Sequence, residues 1–483
     1  MIKQFLKDSF LYSFANILSR GILFLLLPLY TRVLSPGDYG IIDILTIFGA
    51  LVNIVVTLEI FQGLARSYSD VHDESEKIAY SSTALWFTLC AYAFFALIAF
   101  FFSRELASFL LDSIESVKLF QVAMLSFVAN GIFYLLHGQL RWQLRSKNYA
   151  IVSIVFTLIT TGVSVILVLI IGLGILGIFY GQIAGAIAGS IISWLFARNS
   201  FKLLFFWNKC KEMLVFSLPL VLSSVNVFIM LYTDRVAIKK LMTISDVGIY
   251  GIGYRFASIV GFLMVGVNLA LTPLIYSKYS AEATRNELVM IFRYFLAIAL
   301  PLIMLISLFS QEFLWLFTTP QYYNAWSVMP ILATAILLSN MYIFMPGLDI
   351  AKKTKNISTI NITAAISNIA LNFILIPFLG IVGAALASLV SSFVMFLMYA
   401  FLSQKYYFVP HNWHRIVGAT IVSIFTIFLS LLCFYYFDNY IITALSVLFK
   451  ISATIIGSGI VLYLLIGSKK IKNLKAYGLA VIR

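Results

Sequence analysis

Two arginines lie within apolar stretches of this sequence, where a charged side chain is costly. Arg20 sits near the middle of an apolar run over residues 9–31. Arg255 is the only charged residue between Asp246 and Lys278. An arginine facing lipid at the centre of a membrane helix costs about 2.5–3.5 kcal/mol, so we expect both to face a polar cavity or a partner. Because guanidinium groups match phosphate oxygens in charge and geometry, the pair predicts a site for an anionic, phosphate-containing substrate.

Two further charged residues, Glu59 and Arg66, lie towards the end of the second apolar run. Glu59 is a candidate substrate ligand and also a candidate salt-bridge partner for Arg20. Arg66 either receives a phosphate group at the cytoplasmic end of the run or anchors the helix at the lipid interface. We assign both residues to the predicted substrate-binding site.

Three asparagines, Asn361, Asn368 and Asn372, keep roughly one face of a later apolar run. Buried amides commonly hold membrane helices together by hydrogen bonds. The alternative is that this face lines a path for a sugar, and we include the three residues among the substrate-binding candidates.

Other apparent motifs indicate neither catalysis nor a cofactor. Gly172, Gly174 and Gly177 spell GxGxxG, but no strand precedes them, so they predict no nucleotide site. His411 and His414 have no further metal ligands near them in the sequence. The sequence contains no Walker loop and no evident pairing of a nucleophile with a base. We therefore expect a protein that is not an enzyme and that binds neither a metal nor a cofactor.

The elements that must position these residues are membrane helices. The chain has 483 residues, of which 62% are hydrophobic and 11% charged, whereas soluble domains carry about 25% charged residues. Fourteen apolar runs are long enough to span a bilayer. They lie near residues 10–33, 41–65, 80–103, 117–140, 150–172, 174–197, 213–236, 247–277, 288–310, 326–350, 356–378, 380–403, 414–437 and 441–467. The predicted fold class is an all-α polytopic membrane protein with about 14 transmembrane helices.

The basic residues predict how the chain is oriented in the membrane. Of the 33 lysines and arginines, most fall in connecting segments on the same side as the N-terminus. The positive-inside rule therefore places both termini in the cytoplasm. The net charge of +14 then faces anionic lipid, and no nucleic-acid partner is expected.

An internal repeat divides the sequence. Residues 29–31 (LYT) recur as 231–233, and residues 38–41 (DYGI) recur as 246–249 (DVGI). Later matches extend the repeat, so we predict two parallel six-helix lobes, residues 1–200 and 201–405, around a central cavity. Residues 406–483 are predicted to add two further helices and a basic tail.

Short motifs carry a resemblance to a known family. They are residues 31–40 (TRVLSPGDYG), Ala65-Arg66, Asp234-Arg235 and residues 246–250 (DVGIY). The chain resembles the multidrug/oligosaccharidyl-lipid/polysaccharide (MOP) flippase superfamily, and within it the polysaccharide transporter branch of Wzx-type O-antigen flippases. The resemblance implies that an undecaprenyl-diphosphate-linked oligosaccharide is moved from the cytoplasmic to the periplasmic leaflet by alternating access. By position, Arg20 and Arg255 resemble the cavity arginines of the related lipid II flippases.

The same resemblance sets the expected partners and leaves alternatives open. The expected partners are the lipid-linked oligosaccharide, membrane lipids, a polysaccharide polymerase, and a proton or Na⁺ gradient or the membrane potential. The expected location is the bacterial inner membrane. One alternative is a lipid II flippase. Another is a MATE-like drug or ion antiporter, in which Glu59 or Asp349 would be the carboxylate that exchanges the ion.

Overall fold

The computed structural model describes residues 18–19, 21–22, 24–112, 116–264, 267, 271, 282–437 and 444–467. These residues form helices joined by short connections and contain no β-strand. Twelve of the described helices are long and apolar enough to span a membrane, or thirteen if the bent pair Pro320–Ser327 and Met329–Phe344 is one span. The all-α polytopic fold class is confirmed. The count of fourteen is not, and the predicted first span, residues 10–33, falls partly outside the described residues.

The chain forms two compact units, residues 1–248 and 249–483. The helices of the first unit are α1 (Leu27–Tyr30), α2 (Pro36–Thr57), α3 (Ile60–Asp70), α4 (Glu74–Phe101), α5 (Ser103–Leu111), α6 (Val117–Trp142), α7 (Ser146–Val165), α8 (Ile175–Ala197) and α9 (Trp207–Leu241). The boundary between the units falls inside α10 (Ile244–Ala257).

The helices of the second unit after α10 are α11 (Glu282–Leu308), α12 (Ser310–Phe317), α13 (Met329–Asn340), α14 (Gly347–Ile350), α15 (Thr354–Leu379), α16 (Ile381–Gln404), α17 (Trp413–Phe437) and α18 (Ala444–Ile466). α15 and α16 pack as a hairpin, and α11 packs against α13, α17 and α18. The two last helices, which have no counterpart in the sequence repeat, are thus held by α11.

The repeated sequence motifs form the same local structure. Ser35 and Asp38 make a capping box at the start of α2, in which Asp38 N donates to Ser35 Oγ (3.2 Å) and Ser35 N to Asp38 Oδ2 (2.8 Å). Thr243 and Asp246 make the same two bonds at the start of α10, both at 3.2 Å. Each box satisfies backbone N–H groups that have no partner within the helix, so both helices begin at a fixed residue.

The turns before two helical hairpins, α7 with α8 and α15 with α16, also match. Leu144 and Lys352 are both left-handed, with φ of 56° and 54°. Gly174 and Gly380, at the hairpin tips, share a conformation (φ 55°, ψ −133° and φ 58°, ψ −139°) that favours glycine. The repeat is therefore visible in the backbone as well as in the sequence.

The two copies of the DxGI motif lie against each other in the first unit. A Cβ atom placed on Gly40 would be 1.9 Å from the carbonyl oxygen of Ile244, and one placed on Gly248 would be 1.9 Å from the carbonyl oxygen of Pro36. Only glycine allows the backbones to approach so closely at both positions. This contact, which we call the glycine crossing, joins the start of α2 to the start of α10.

The core of the first unit forms where α3 packs against α4, α6 and α9. Its fully buried side chains include Ile60, Leu64, Leu140, Cys210 and Met213. This packing fixes α3 and with it the junction between α2 and α3.

Candidate functional site

The second predicted span is not one continuous helix. The sequence predicts a single run over residues 41–65, but the structure breaks it between α2 and α3 at Leu58 and Glu59. Both residues are left-handed, with φ of 49° and 54°. In the described chain, no other two consecutive non-glycine residues have positive φ. Because this conformation costs an L-residue about 1–2 kcal/mol, such a break marks a candidate functional position.

Contacts with α9 hold the break in place. Ser217 Oγ donates to the carbonyl oxygen of Leu58 at 2.7 Å, which satisfies an acceptor that the ended helix leaves open. Gly63 packs so closely on α9 that an added Cβ would lie 2.6 Å from the carbonyl oxygen of Met213. The strained backbone is thus maintained by the packing of a different helix.

A cavity of 430 Å³ opens beside this break, within the first unit. Residues of α2, α3, α4, α6 and α7, with Glu59 at the break, line it. Its polar lining is Asn53, Thr57, Glu59, Thr88, Tyr92 and Asn130, and its aromatic lining is Phe61, Phe133, Tyr134 and Phe156. We call it the break cavity. Its polar and aromatic side chains lie on helices long and apolar enough to cross a membrane, except for Glu59 and Phe61.

Several polar groups of the break cavity are fixed by hydrogen bonds. The Tyr92 hydroxyl donates to Asn53 Oδ1. Thr57 Oγ1 donates to the carbonyl oxygen of Asn53 at 2.7 Å, and Asn130 Nδ2 donates to that of Ser126 at 2.8 Å. The Asn53 and Asn130 side chains are therefore held in defined orientations, as a binding site requires.

The hydroxyl of Thr88 differs from these groups. Thr88 is 1% exposed, and its Oγ1 atom has no hydrogen-bond partner within the described part of the chain. A buried polar atom without a partner is unfavourable, and such atoms in a native protein call for an explanation. Its position in the lining of the break cavity makes a ligand a natural partner for this hydroxyl.

The aromatic lining is held rigidly by ring stacking. The rings of Phe133 and Phe156 stack with centroids 4.4 Å apart and an angle of 7° between their planes. Phe133 also stacks on His137 at 5.0 Å, and His137 stacks on Tyr149 at 3.9 Å. The stack joins α6 to α7 and fixes the orientation of Phe133 and Phe156, two of the three phenylalanines that line the cavity.

One of the described residues that line the break cavity carries a charge. Among the described residues of the lining, Glu59 is the only acidic side chain, and none is a lysine, arginine or histidine. The cavity can therefore accept hydrogen bonds through the carboxylate of Glu59.

The predicted arginines belong to different units or lie outside the described residues. Arg20 is outside the described residues. Arg66 is exposed, lies over the ring of Phe216 at 4.5 Å and forms an ion pair with Asp70 at 3.6 Å. Arg255 is half-buried in the second unit. Of the predicted charged ligands that the structure describes, Glu59 alone lines the break cavity.

The predicted asparagines lie on α15 in the second unit. Asn372 Nδ2 donates to the Asn368 carbonyl oxygen at 2.9 Å, and Asn368 Nδ2 to the hydroxyls of Ser388 and Ser391 at 3.2 and 3.4 Å. These bonds tie α15 to α16. Asn361 is half-buried, nearer the start of the helix.

The other carboxylate considered for ion exchange, Asp349, also lies in the second unit. It is half-buried in the short helix α14, and burial raises the pKa of its carboxyl. In the described residues, no group of three or more His, Cys, Asp or Glu could hold a metal ion.

Most residues of the break cavity were missed by the sequence reasoning, although a signal was present. Three helices each contribute two polar or hydroxyl-bearing residues spaced four apart, which places each pair on one helix face. The pairs are Asn53 and Thr57, Thr88 and Tyr92, and Asn130 and Tyr134.

Comparison with known proteins agrees with this architecture. A family model described as polysaccharide biosynthesis protein matches residues 29–327. A protein of the Lsg locus of Haemophilus influenzae is 23% identical over 408 residues, covering 78% of this chain and 94% of that protein.

Two solved structures share the fold. The lipid II flippase MurJ in an inward closed conformation has a TM-score of 0.71 at 17% identity, covering 94% of this chain and 98% of that chain. An inward-facing multidrug resistance transporter of the MATE family and the MOP superfamily has a TM-score of 0.62 at 15% identity, covering 82% and 95%. With the family match over more than half its length, the chain belongs to the polysaccharide biosynthesis protein family and has the fold of the MOP superfamily, as the sequence motifs predict.

Proposed function

We propose that this protein is a flippase that moves an undecaprenyl-diphosphate-linked oligosaccharide, such as an O-antigen or other surface polysaccharide repeat unit, across the bacterial inner membrane. The direction of transport is from the cytoplasmic to the periplasmic leaflet, by alternating access, with both termini in the cytoplasm. A proton gradient, a Na⁺ gradient or the membrane potential supplies the energy.

The observation that carries this proposal is a polar cavity among membrane helices in a member of a polysaccharide biosynthesis family. A glycan and a diphosphate cannot cross hydrocarbon unaided, because their polar groups would lose all hydrogen bonds there. Helices that enclose amides, hydroxyls and a carboxylate offer such a headgroup a path, while its lipid tail stays in the bilayer.

The proposal assigns the two parts of the headgroup to different residues. Arg20, Arg255 and Arg66 would bind the diphosphate, since guanidinium groups pair with phosphate oxygens. Glu59 and the asparagines Asn361, Asn368 and Asn372 would contact the glycan.

A second candidate cargo is the peptidoglycan precursor lipid II. The TM-score of 0.71 to a lipid II flippase over 94% of the chain favours it. Both cargoes carry a diphosphate, so the distinction lies in the sugar.

The test is deletion of the gene, followed by mass spectrometry of the lipid-linked intermediates and measurement of surface polysaccharide. We expect the surface polysaccharide to disappear and a complete undecaprenyl-diphosphate-linked repeat unit to accumulate on the cytoplasmic side. Accumulation of lipid II, with loss of viability, would assign the second cargo. Unchanged lipid intermediates with altered sensitivity to cationic drugs would refute both and indicate an antiporter.

A further inference from the structure

We infer that the break cavity is a subsite for one sugar ring of the glycan, and that the diphosphate binds elsewhere. This inference rests on the proposed function and adds to it the part of the substrate that the first unit recognises.

The size of the break cavity matches a sugar ring better than an ion. Its volume is 430 Å³, whereas a water molecule occupies about 30 Å³ in the liquid. Pockets for organic ligands in proteins have volumes of about 300–1,000 Å³. A dehydrated cation would leave most of this space empty.

The charge of the cavity separates the glycan from the diphosphate. Glu59 is the only charged side chain among the described residues of the lining, and like charges close together in a membrane interior repel strongly. A diphosphate in this cavity would lie against the carboxylate of Glu59. Sugar hydroxyls, in contrast, donate hydrogen bonds to a carboxylate, and bonds to a charged acceptor are stronger than those between neutral groups.

The arrangement of groups matches the surface of a sugar ring. A pyranose presents hydroxyls around its edge and C–H groups on its faces. Glu59, Asn130 and Thr88 offer hydrogen-bonding groups for the edge, and the stacked rings of Phe133 and Phe156 offer an apolar surface for a face.

The unpartnered hydroxyl of Thr88 is an independent observation that points to a ligand. Replacing it with a methyl group would remove an unfavourable buried polar atom from the empty protein. A threonine retained only for packing gains nothing from this hydroxyl. A sugar in the break cavity would give it a partner.

The test compares two lipids, undecaprenyl diphosphate and the undecaprenyl-diphosphate-linked repeat unit isolated from the deletion strain. Their affinities are measured by native mass spectrometry on the full-length protein in lipid nanodiscs. The variants are Glu59→Gln and Thr88→Val. Thr420→Val is the control, because it makes the same chemical change on α17, outside the break cavity, where Thr420 Oγ1 bonds only within its own helix.

We expect the wild-type protein to bind the glycosylated lipid at least about tenfold more tightly than the bare lipid, the effect of one good hydrogen bond to a charged group. Glu59→Gln and Thr88→Val should each weaken binding of the glycosylated lipid by about tenfold and leave binding of the bare lipid unchanged. Binding of the bare lipid also shows that a variant is folded. Thr420→Val should leave both affinities unchanged.

Thr88→Val provides a second readout that a structural role would not give. It should raise the thermal denaturation midpoint of the empty protein while weakening binding of the glycosylated lipid. If either variant fails to fold, Tyr134→Leu replaces it, because this side chain lines the cavity and is 60% exposed.

Other outcomes overturn the inference. If Glu59→Gln and Thr88→Val weaken binding of both lipids equally, or do not weaken binding of the glycosylated lipid, the break cavity does not bind the sugar. Equal binding of both lipids by the wild-type protein would refute the sugar subsite and leave the flippase proposal standing. Binding of neither lipid would refute the proposed function, and the sugar subsite with it.

Discussion

Replacing Gly40 by alanine should destabilise the protein, although alanine favours helix formation. Gly40 lies inside α2, at the glycine crossing, where an added Cβ would be 1.9 Å from the Ile244 carbonyl oxygen. An ordinary contact is at least 3.4 Å, so this backbone carbonyl would have to retreat by about 1.5 Å. A backbone carbonyl cannot rotate away as a flexible side chain can. The start of α10 must therefore move relative to α2.

The expected magnitude follows from two opposing effects. Forcing extra volume into a packed contact costs about 1–3 kcal/mol and occasionally more. Alanine regains about 0.8–1 kcal/mol over glycine in a helix interior. We expect Gly40→Ala to lower the free energy of unfolding by about 1–2 kcal/mol.

Gly162→Ala is the matched control. Gly162 lies inside α7, and a Cβ there would meet no atom within 4 Å. This variant should raise the free energy of unfolding by up to about 1 kcal/mol, so the two substitutions should change stability in opposite directions. The assay is thermal denaturation of the purified protein in detergent micelles.

Gly248→Ala provides a check on the same contact from the other side, because its Cβ would lie 1.9 Å from the Pro36 carbonyl oxygen. It should destabilise as Gly40→Ala does, and the double variant should cost less than the sum because both substitutions separate the same two segments. A Gly40→Ala protein as stable as the Gly162→Ala protein would refute the close backbone contact.

Three further predictions concern single contacts. Lys450 Nζ lies 2.6 Å from Glu312 Oε1, with both side chains largely buried, so Lys450→Met alone should cost about 3–5 kcal/mol. The double variant Lys450→Met with Glu312→Gln should recover most of this loss. Equal denaturation midpoints for the single variant Lys450→Met and the double variant would contradict this. Burial lowers the pKa of His411 to about 4, below its unfolded value of 6.5, so the unfolded state binds the proton first. Stability should therefore fall as the pH drops from about 6.5 to 4, by up to about 1.4 kcal/mol per pH unit, and His411→Gln should flatten that part of a plot of denaturation midpoint against pH. Ser217→Ala should cost about 1 kcal/mol, because it removes the donor to the Leu58 carbonyl oxygen, and should reduce transport measured by surface polysaccharide; unchanged transport would separate the break from function.

The candidate site was predictable only where one residue stood out from its surroundings. Glu59 was identified because a carboxylate in an apolar run is conspicuous in the sequence. Asn53, Tyr92 and Asn130 were not, since an amide or a tyrosine in a membrane helix is common and usually serves helix packing. They form a site because the faces of α2, α4 and α6 that carry them line one cavity. That arrangement depends on contacts between residues distant in sequence.

Local physical rules allowed the sequence by itself to determine the fold class and the repeat. The length of the apolar runs requires membrane helices, and the paired motifs Ser35-Asp38 and Thr243-Asp246 fix two helix starts through bonds only three residues apart. The break at Leu58 and Glu59 was decided by the tertiary structure alone. Neither glycine nor proline marks it, and its backbone is held by Ser217, which lies 159 residues further along the chain. A conformation that is unfavourable locally persists only where distant packing compensates for it, and the break cavity exists for the same reason.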